Sequence, residues 1–182
     1  IDTIGQQLAG QGLSSTDRVA IVLPNGPEMA SAFLAVACYM SAAPLNPSYK
    51  QSEYEFYLSD LKPALVIVEQ GSENPVRHAA QGLGIPVVEA KVEAGMAAGA
   101  FSLFDKTAEI SPADAEAEAL VLHTSGTTSR PKVVPLLQKN ILASARNIAA
   151  SLELTDADHC LNIMPLFHIH GLIAVLISSL GK

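Results

Sequence analysis

Short apolar runs rich in β-branched residues alternate along this chain with longer segments whose apolar positions recur every three or four residues. Arg18–Leu23 (RVAIVL) is continuous, short and stopped by Pro24-Asn25-Gly26, the pattern of a strand buried on both faces. Pro27 suits the first turn of a helix, predicted to run to about Met40. Ala43–Asn46 predicts a second extended piece, held by Pro44 and Pro47. Ser52 with Glu55 three positions on has the form of a capping box and predicts a helix to about Leu61. Ala64–Glu69 (ALVIVE) is the clearest strand, Asn74-Pro75 opens a helix to about Gln81, and Pro86–Glu89 is a further short strand. Residues 91–118 are rich in Ala and acids, which predicts an exposed connection with a short helix begun by Ser111-Pro112. Ala119–His123 (ALVLH) is again a strand. Leu136–Leu152 has helical spacing, His159–Met164 predicts a strand, and His170–Leu180 a helix.

Strands alternating with helices predict an α/β fold, with mostly parallel sheets flanked by helices. Three stretches follow: a first α/β segment over 1–90, a connection over 91–118, and a second α/β segment over 119–182. In such sheets ligands sit at the carboxyl ends of strands, which makes the loop after 119–123 the first place to look for chemistry.

Composition narrows the classes. Of 182 residues, 49% are hydrophobic and 16% charged, enough apolar material for a core. A net charge of −7 argues against wrapping nucleic acid or lying on an anionic membrane. The apolar run Gly171–Leu180 is about half of what a bilayer needs. Cys38 and Cys160, each in an apolar run, suggest buried free thiols in a reducing compartment, hence a cytoplasmic location. The chain opens without Met or a signal-peptide pattern, and neither end shows a cap; both ends are expected to be cut from a longer polypeptide.

The segment Thr124-Ser125-Gly126-Thr127-Thr128-Ser129-Arg130-Pro131-Lys132 has hydroxyl side chains at five of its first six positions, and Gly126 at the other. Hydroxyls and approachable backbone N–H groups donate to phosphate oxygens, and Lys132 adds a point charge. No Asp or Glu occurs between Ala119 and Leu152, a stretch that holds Arg130, Lys132, Lys139 and Arg146, so a local +4 stands within an acidic chain. The loop, expected between a strand and a helix, is therefore a candidate phosphate site. A Ser/Thr-rich turn beside an ordinary basic helix is the bland alternative. A Walker loop is excluded, because Pro131 stands where its second Gly would precede Lys; the three-glycine dinucleotide pattern is also missing.

Thr124–Lys132 closely resembles the phosphate loop of the acyl-adenylate-forming superfamily, which includes acyl-CoA synthetases, peptide-synthetase adenylation domains and luciferases. The usual form is [ST]-S-G-[ST]-[TS]-G-x-P-K, and eight of nine positions fit. Pro165-Leu166-Phe167-His168-Ile169-His170-Gly171 resembles the next motif of the superfamily, 33 residues on, and Asp17–Asn25 resembles its opening strand region. Ser129 departs from the usual Gly, and the run His123–Lys132 is similar to a subgroup that includes oxalate–CoA ligases.

The resemblance implies part of the large N-terminal domain of an AMP-forming acyl-CoA synthetase, with the C-terminal domain absent. Its reaction joins a carboxylic acid to ATP as acyl-AMP with release of pyrophosphate, then transfers the acyl group to coenzyme A. It further implies that Thr124, Ser125, Gly126, Thr127, Thr128 and Ser129 grip the ATP phosphates, that Lys132 is catalytic through neutralising pyrophosphate charge, and that His168 and Gly171 belong to the substrate pocket. Mg²⁺ would bridge the phosphates, with its carboxylate ligand from later sequence. Partners are then a small-molecule carboxylate (on the subgroup resemblance, a small acid such as oxalate), ATP, coenzyme A and the rest of the same polypeptide, with no nucleic acid and no membrane span. The fragment alone is expected to be inactive. A stand-alone phosphate- or nucleotide-binding module without catalysis is the alternative. His168 and His170 also invite a metal reading, but no third ligand is evident in the sequence. His123 is expected to be a packed strand-end residue, and Lys139 with Arg146 a solvated helix face.

Overall fold

The structure, a computed structural model, describes residues 1–124 and 131–181. Six strands form one sheet in the order β4-β3-β1-β2-β5-β6. They are β1 (Arg18–Val22), β2 (Ser41–Pro44), β3 (Leu65–Glu69), β4 (Val87–Ala90), β5 (Glu118–Thr124) and β6 (Lys132–Leu137). All neighbours are parallel except β5 and β6. The described helices are α1 (Asp2–Gly10), α2 (Pro27–Tyr39), α3 (Gln51–Leu61), α4 (Val76–Gly82), α5 (Gln138–Ser151), a π-helix (His170–Ile177) and α6 (Ser178–Leu180).

The double-faced burial expected of the β-branched runs is present. Val19 and Ile21 of β1 and Leu65 and Ile67 of β3 face a core built with α1, α2 and α5. Ala20, Val22, Val66 and Val68 face a second core built with α3 and α4. This alternation is the period-2 geometry of a strand covered by helices on both sides. At the amino edge of the sheet, Arg18 donates from Nε and Nη2 to the two Glu118 carboxylate oxygens at 2.7 and 2.9 Å, and Ser41 Oγ donates to the same carboxylate at 2.7 Å. These bonds lock the starts of β1, β2 and β5 together. Burial alone would raise the Glu118 pKa; the Arg18 and Ser41 hydrogen bonds and the Arg18 charge outweigh it and hold the carboxyl below its usual value.

Several expectations change. α3 starts earlier than the Ser52/Glu55 pattern suggests: Lys50 N–H donates to Glu53 at 2.8 Å, while Glu55 accepts from Gln51 instead. No helix begins at Ser111-Pro112. There the chain lies along the first core, with Ala108 N–H on Gln6 O and Ala113 N–H on Cys38 O. Residues 132–137 form an edge strand antiparallel to β5, so α5 begins only at Gln138. The stretch His159–Met164 makes no ladder, and Leu161 and Ile163 are 84% and 80% exposed. An alternating sequence needs a neighbouring edge to become a strand, and no described residue offers one there. Cys38 is half-buried and Cys160 exposed, not both buried. The 170–180 helix is present, but His170–Ile177 winds as a π-helix.

Candidate functional site

Because β1–β5 are parallel, their carboxyl ends share one edge of the sheet, where α/β sheets bind ligands. Thr124 ends β5 at this edge. The next described residues, Pro131 and Lys132, return along β6, with Thr124 and Lys132 opposite each other in register. Directly opposed residues on antiparallel strands project to the same face. Thr124 and Lys132 are both exposed there, a hydroxyl and an ammonium facing solvent at the neck of the loop. The loop thus joins two antiparallel strands, not a strand and a helix. Ser125, Gly126, Thr127, Thr128, Ser129 and Arg130 lie outside the described residues.

The reversal of β6 revises the local charge. Leu137 pairs with Glu118 at the amino end of β5, so α5 starts at the opposite edge from the loop. Lys139, in the first turn of α5, binds Glu116 there at 2.6 Å, half-exposed. It is removed from Thr124 and Lys132 by the length of a strand. Lys132 is the described cation at the loop itself. Arg146 is exposed farther along α5.

His123 is packed, as expected of a strand-end residue. Side chains alternate along β5, so His123 turns to the α3 face. Its side chain is 6% exposed, with Nε2 3.1 Å from Asp60 and the ring edge-on to Tyr57 at 4.7 Å. Tyr57 in turn stacks on Tyr49 at 4.9 Å, and burial raises the Tyr49 pKa.

The second motif, Pro165–Gly171, is a tight turn leading into the π-helix. His168 N–H donates to Pro165 O at 3.1 Å, and Leu172 N–H to His168 O at 3.1 Å. Gly171 is buried against the turn: a Cβ there would lie 2.5 Å from Pro165 O and 3.0 Å from Met164 O. Gly171 thus packs closely against the turn at the start of the helix. Asn162 clasps the turn, accepting from Met164 N–H at 3.0 Å and donating to Gly171 O at 3.1 Å. His168 is exposed. His170, also exposed but on the π-helix, lines an apolar groove of about 620 Å³ between α5 and the π-helix, with Ile148, Leu152, Leu161 and Val175. The two imidazoles therefore do not share a strand face. Among the described residues no group of three or more His, Cys, Asp or Glu could hold a metal ion.

Two residues not anticipated as functional organise this edge. Asn25, in the loop after β1, accepts from the buried Leu166 N–H at 2.7 Å. A crevice of about 410 Å³ opens beside it among Gly26, Glu28, Glu69 and Val92. Glu28 accepts from Gly99 N–H at 3.1 Å, tying the 91–117 connection to the start of α2. The sequence signal for Asn25 was its place between Pro24 and Pro27 in a stiff loop at a strand end; its partner, 141 positions on, left no local trace. A larger cavity, about 650 Å³, lies among Asp17, Arg18, Lys62 and Glu118 at the amino edge, away from the loop.

The mostly parallel sheet with its flanking helices is the N-terminal-domain architecture of adenylate-forming CoA ligases. Residues 1–182 match the family described as AMP-binding enzyme, and the chain belongs to that family. It is 44% identical over 179 residues to an oxalate–CoA ligase of Arabidopsis thaliana, covering 93% of this chain and 34% of the relative. It is 32% identical over 181 residues to a sulfoacetate–CoA ligase of Cupriavidus necator, covering 98% and 36%. The fold superposes with a TM-score of 0.76 and 28% identity on the o-succinylbenzoate CoA synthetase of Bacillus subtilis in complex with ATP and magnesium ion, covering 98% of this chain and 45% of that one. The chain spans about a third of the length of the curated relatives it matches. Among the described residues no helix is long and apolar enough to cross a membrane.

Proposed function

We propose that this chain is the phosphate-loop portion of an ATP-dependent carboxylate–CoA ligase, acting in the cytoplasm on a small acid of the oxalate kind. The observation that carries the reading is the pairing of Thr124 with Lys132 at the carboxyl edge. It brings the two ends of the nine-residue motif, an exposed hydroxyl and an exposed ammonium, opposite each other on adjacent antiparallel strands. Likeness to an oxalate–CoA ligase over 93% of the chain supports the substrate class.

In this reading the carboxylate oxygen bonds to the α-phosphorus of ATP while the α–β anhydride bond breaks, and pyrophosphate leaves with the bonding electrons. The thiol of coenzyme A then bonds to the acyl carbon, and AMP leaves. Thr124, Ser125, Gly126, Thr127, Thr128 and Ser129 hold the β- and γ-phosphates, and Lys132 offsets the charge that develops on the departing pyrophosphate. Such catalysis is positioning and electrostatic stabilisation. His168 and Gly171 form part of the acyl pocket. Mg²⁺ supplies further charge neutralisation when bound; the 119–152 stretch contains no carboxylate to hold it, so its protein ligand comes from elsewhere in the polypeptide.

The test is pyrophosphate release by the full-length protein against oxalate, malonate, sulfoacetate and o-succinylbenzoate, with and without coenzyme A. Carboxylate-dependent release, greatest with oxalate, is expected; the 182-residue chain alone should match buffer. Release with none of the acids would overturn the ligase reading. A different preferred acid would overturn only the substrate class.

A further inference from the structure

The turn that carries His168 is tied to the centre of the sheet by a side-chain hydrogen bond as well as by the packing of Leu166 in the first core. Leu166 is 7% exposed, so its amide needs a partner inside the protein. That partner is Asn25 Oδ1 at 2.7 Å, 141 residues earlier. Asn25 follows β1, whose residues Val19–Val22 are all buried and which pairs on both sides with β2 and β3. It stands in a loop that Pro24 and Pro27 make stiff. Asn162 clasps the turn internally but belongs to the same segment, so it cannot set the position of the turn against the sheet. From Leu166 the chain reaches His168 in two residues, and the His168 amide closes back on Pro165 O.

We propose that Asn25 is a positioning residue for the acyl pocket: by holding the Leu166 amide it sets where the Pro165–Gly171 turn presents His168 to the carboxylate. The proposal rests on the ligase reading above. Asn25 acts through Leu166 and is not a catalytic residue. It serves the carboxylate side of the site, whereas Thr124 and Lys132 serve the phosphate side. Removing its acceptor oxygen should therefore split the two substrates.

The test uses the full-length protein with Asn25→Ala, which removes the acceptor, and Asn25→Asp, which keeps it. Loss of one neutral hydrogen bond corresponds to a rise of roughly 3- to 10-fold in KM for the carboxylate. The KM for ATP should stay within about 2-fold, and Asn25→Asp should restore the carboxylate value. Hydrogen exchange at the Leu166 amide should accelerate in Asn25→Ala and not in Asn25→Asp. Should Asn25→Ala fail to fold, Asn25→Ser, whose shorter side chain stops short of Leu166, takes its place. An unchanged carboxylate KM, an equal rise in both KM values, or no rescue by Asn25→Asp would overturn the proposal. Failure of the ligase reading is distinguishable: the wild-type protein would then release no pyrophosphate. The amide-exchange result would still decide whether Asn25 holds the turn.

Discussion

Gly171→Ala tests the geometry of the second motif with two opposed effects of known size. The residue begins a helical segment at ordinary negative φ, so alanine should favour the backbone by about 0.5–1 kcal/mol. Against this, the new Cβ would sit 2.5 Å from Pro165 O and 3.1 Å from Pro165 C, where ordinary contact begins near 3.4 Å. Relief requires a movement of about 0.9 Å between the helix start and the turn. Neither side is free to move. Pro165 has a rigid ring, Leu166 N–H is held by Asn25, and Gly171 O is held by Asn162. Overpacking against fixed backbone costs about 1–3 kcal/mol, so at the middle of both ranges the clash wins by about 1 kcal/mol. For a chain of this size that lowers Tm by about 2–4 °C. The assays are thermal unfolding by circular dichroism and the carboxylate KM of the full-length protein, which should rise as the turn shifts. A Tm equal to or above wild type would refute the reasoning, since the helix-propensity gain would then outweigh the contact.

Glu118→Gln should destabilise the fold by about 1–2 kcal/mol at neutral pH, less than a fully buried charged hydrogen-bond pair because Arg18 and Glu118 keep 30% and 24% of their side-chain surface. The folded pKa of Glu118 is lowered, so its contribution is present above the unfolded carboxylate value of about 4.3 and is lost as pH falls through the folded value. Acid titration of stability should therefore be shallower in the variant below about pH 4; superimposable acid limbs would exclude this role. Lys132→Ala should slow pyrophosphate exchange by roughly 10²-fold in the full-length protein with an unchanged Tm, since the side chain is exposed and lies at the edge strand. Exchange at the wild-type rate would remove Lys132 from the machinery.

The parallel centre of the sheet was legible because its strands are buried on both faces. RVAIVL and ALVIVE are continuous apolar runs bounded by Pro, Gly or charge, and they became β1 and β3 within a residue or two. α2 was marked by Pro27. β6 was hidden by its own composition: Lys132–Leu137 contains Pro135, which is tolerated only because this is an edge strand. Missing that strand let Lys139 count toward the local charge of the 119–152 stretch, when the reversal carries it to the far edge from Thr124 and Lys132. At His159–Met164 the apolar positions alternate, but pairing is a property of two segments and no described residue pairs with this one. The Thr124–Lys132 motif was legible as residue types, and the structure adds that Thr124 and Lys132 lie opposite each other on adjacent strands. Asn25 and Asn162 could not be found by spacing, because their roles depend on which distant amide folding brings to them.

The central claim is that the loop between β5 and β6 holds ATP by its terminal phosphates. A crystal structure of the full-length protein with a non-hydrolysable ATP analogue tests it most directly. The account predicts β- and γ-phosphate oxygens within hydrogen-bond distance of the Thr124–Ser129 donors, with the Lys132 ammonium on the same face. Phosphates bound away from this loop, with Thr124 and Lys132 still facing solvent, would contradict it.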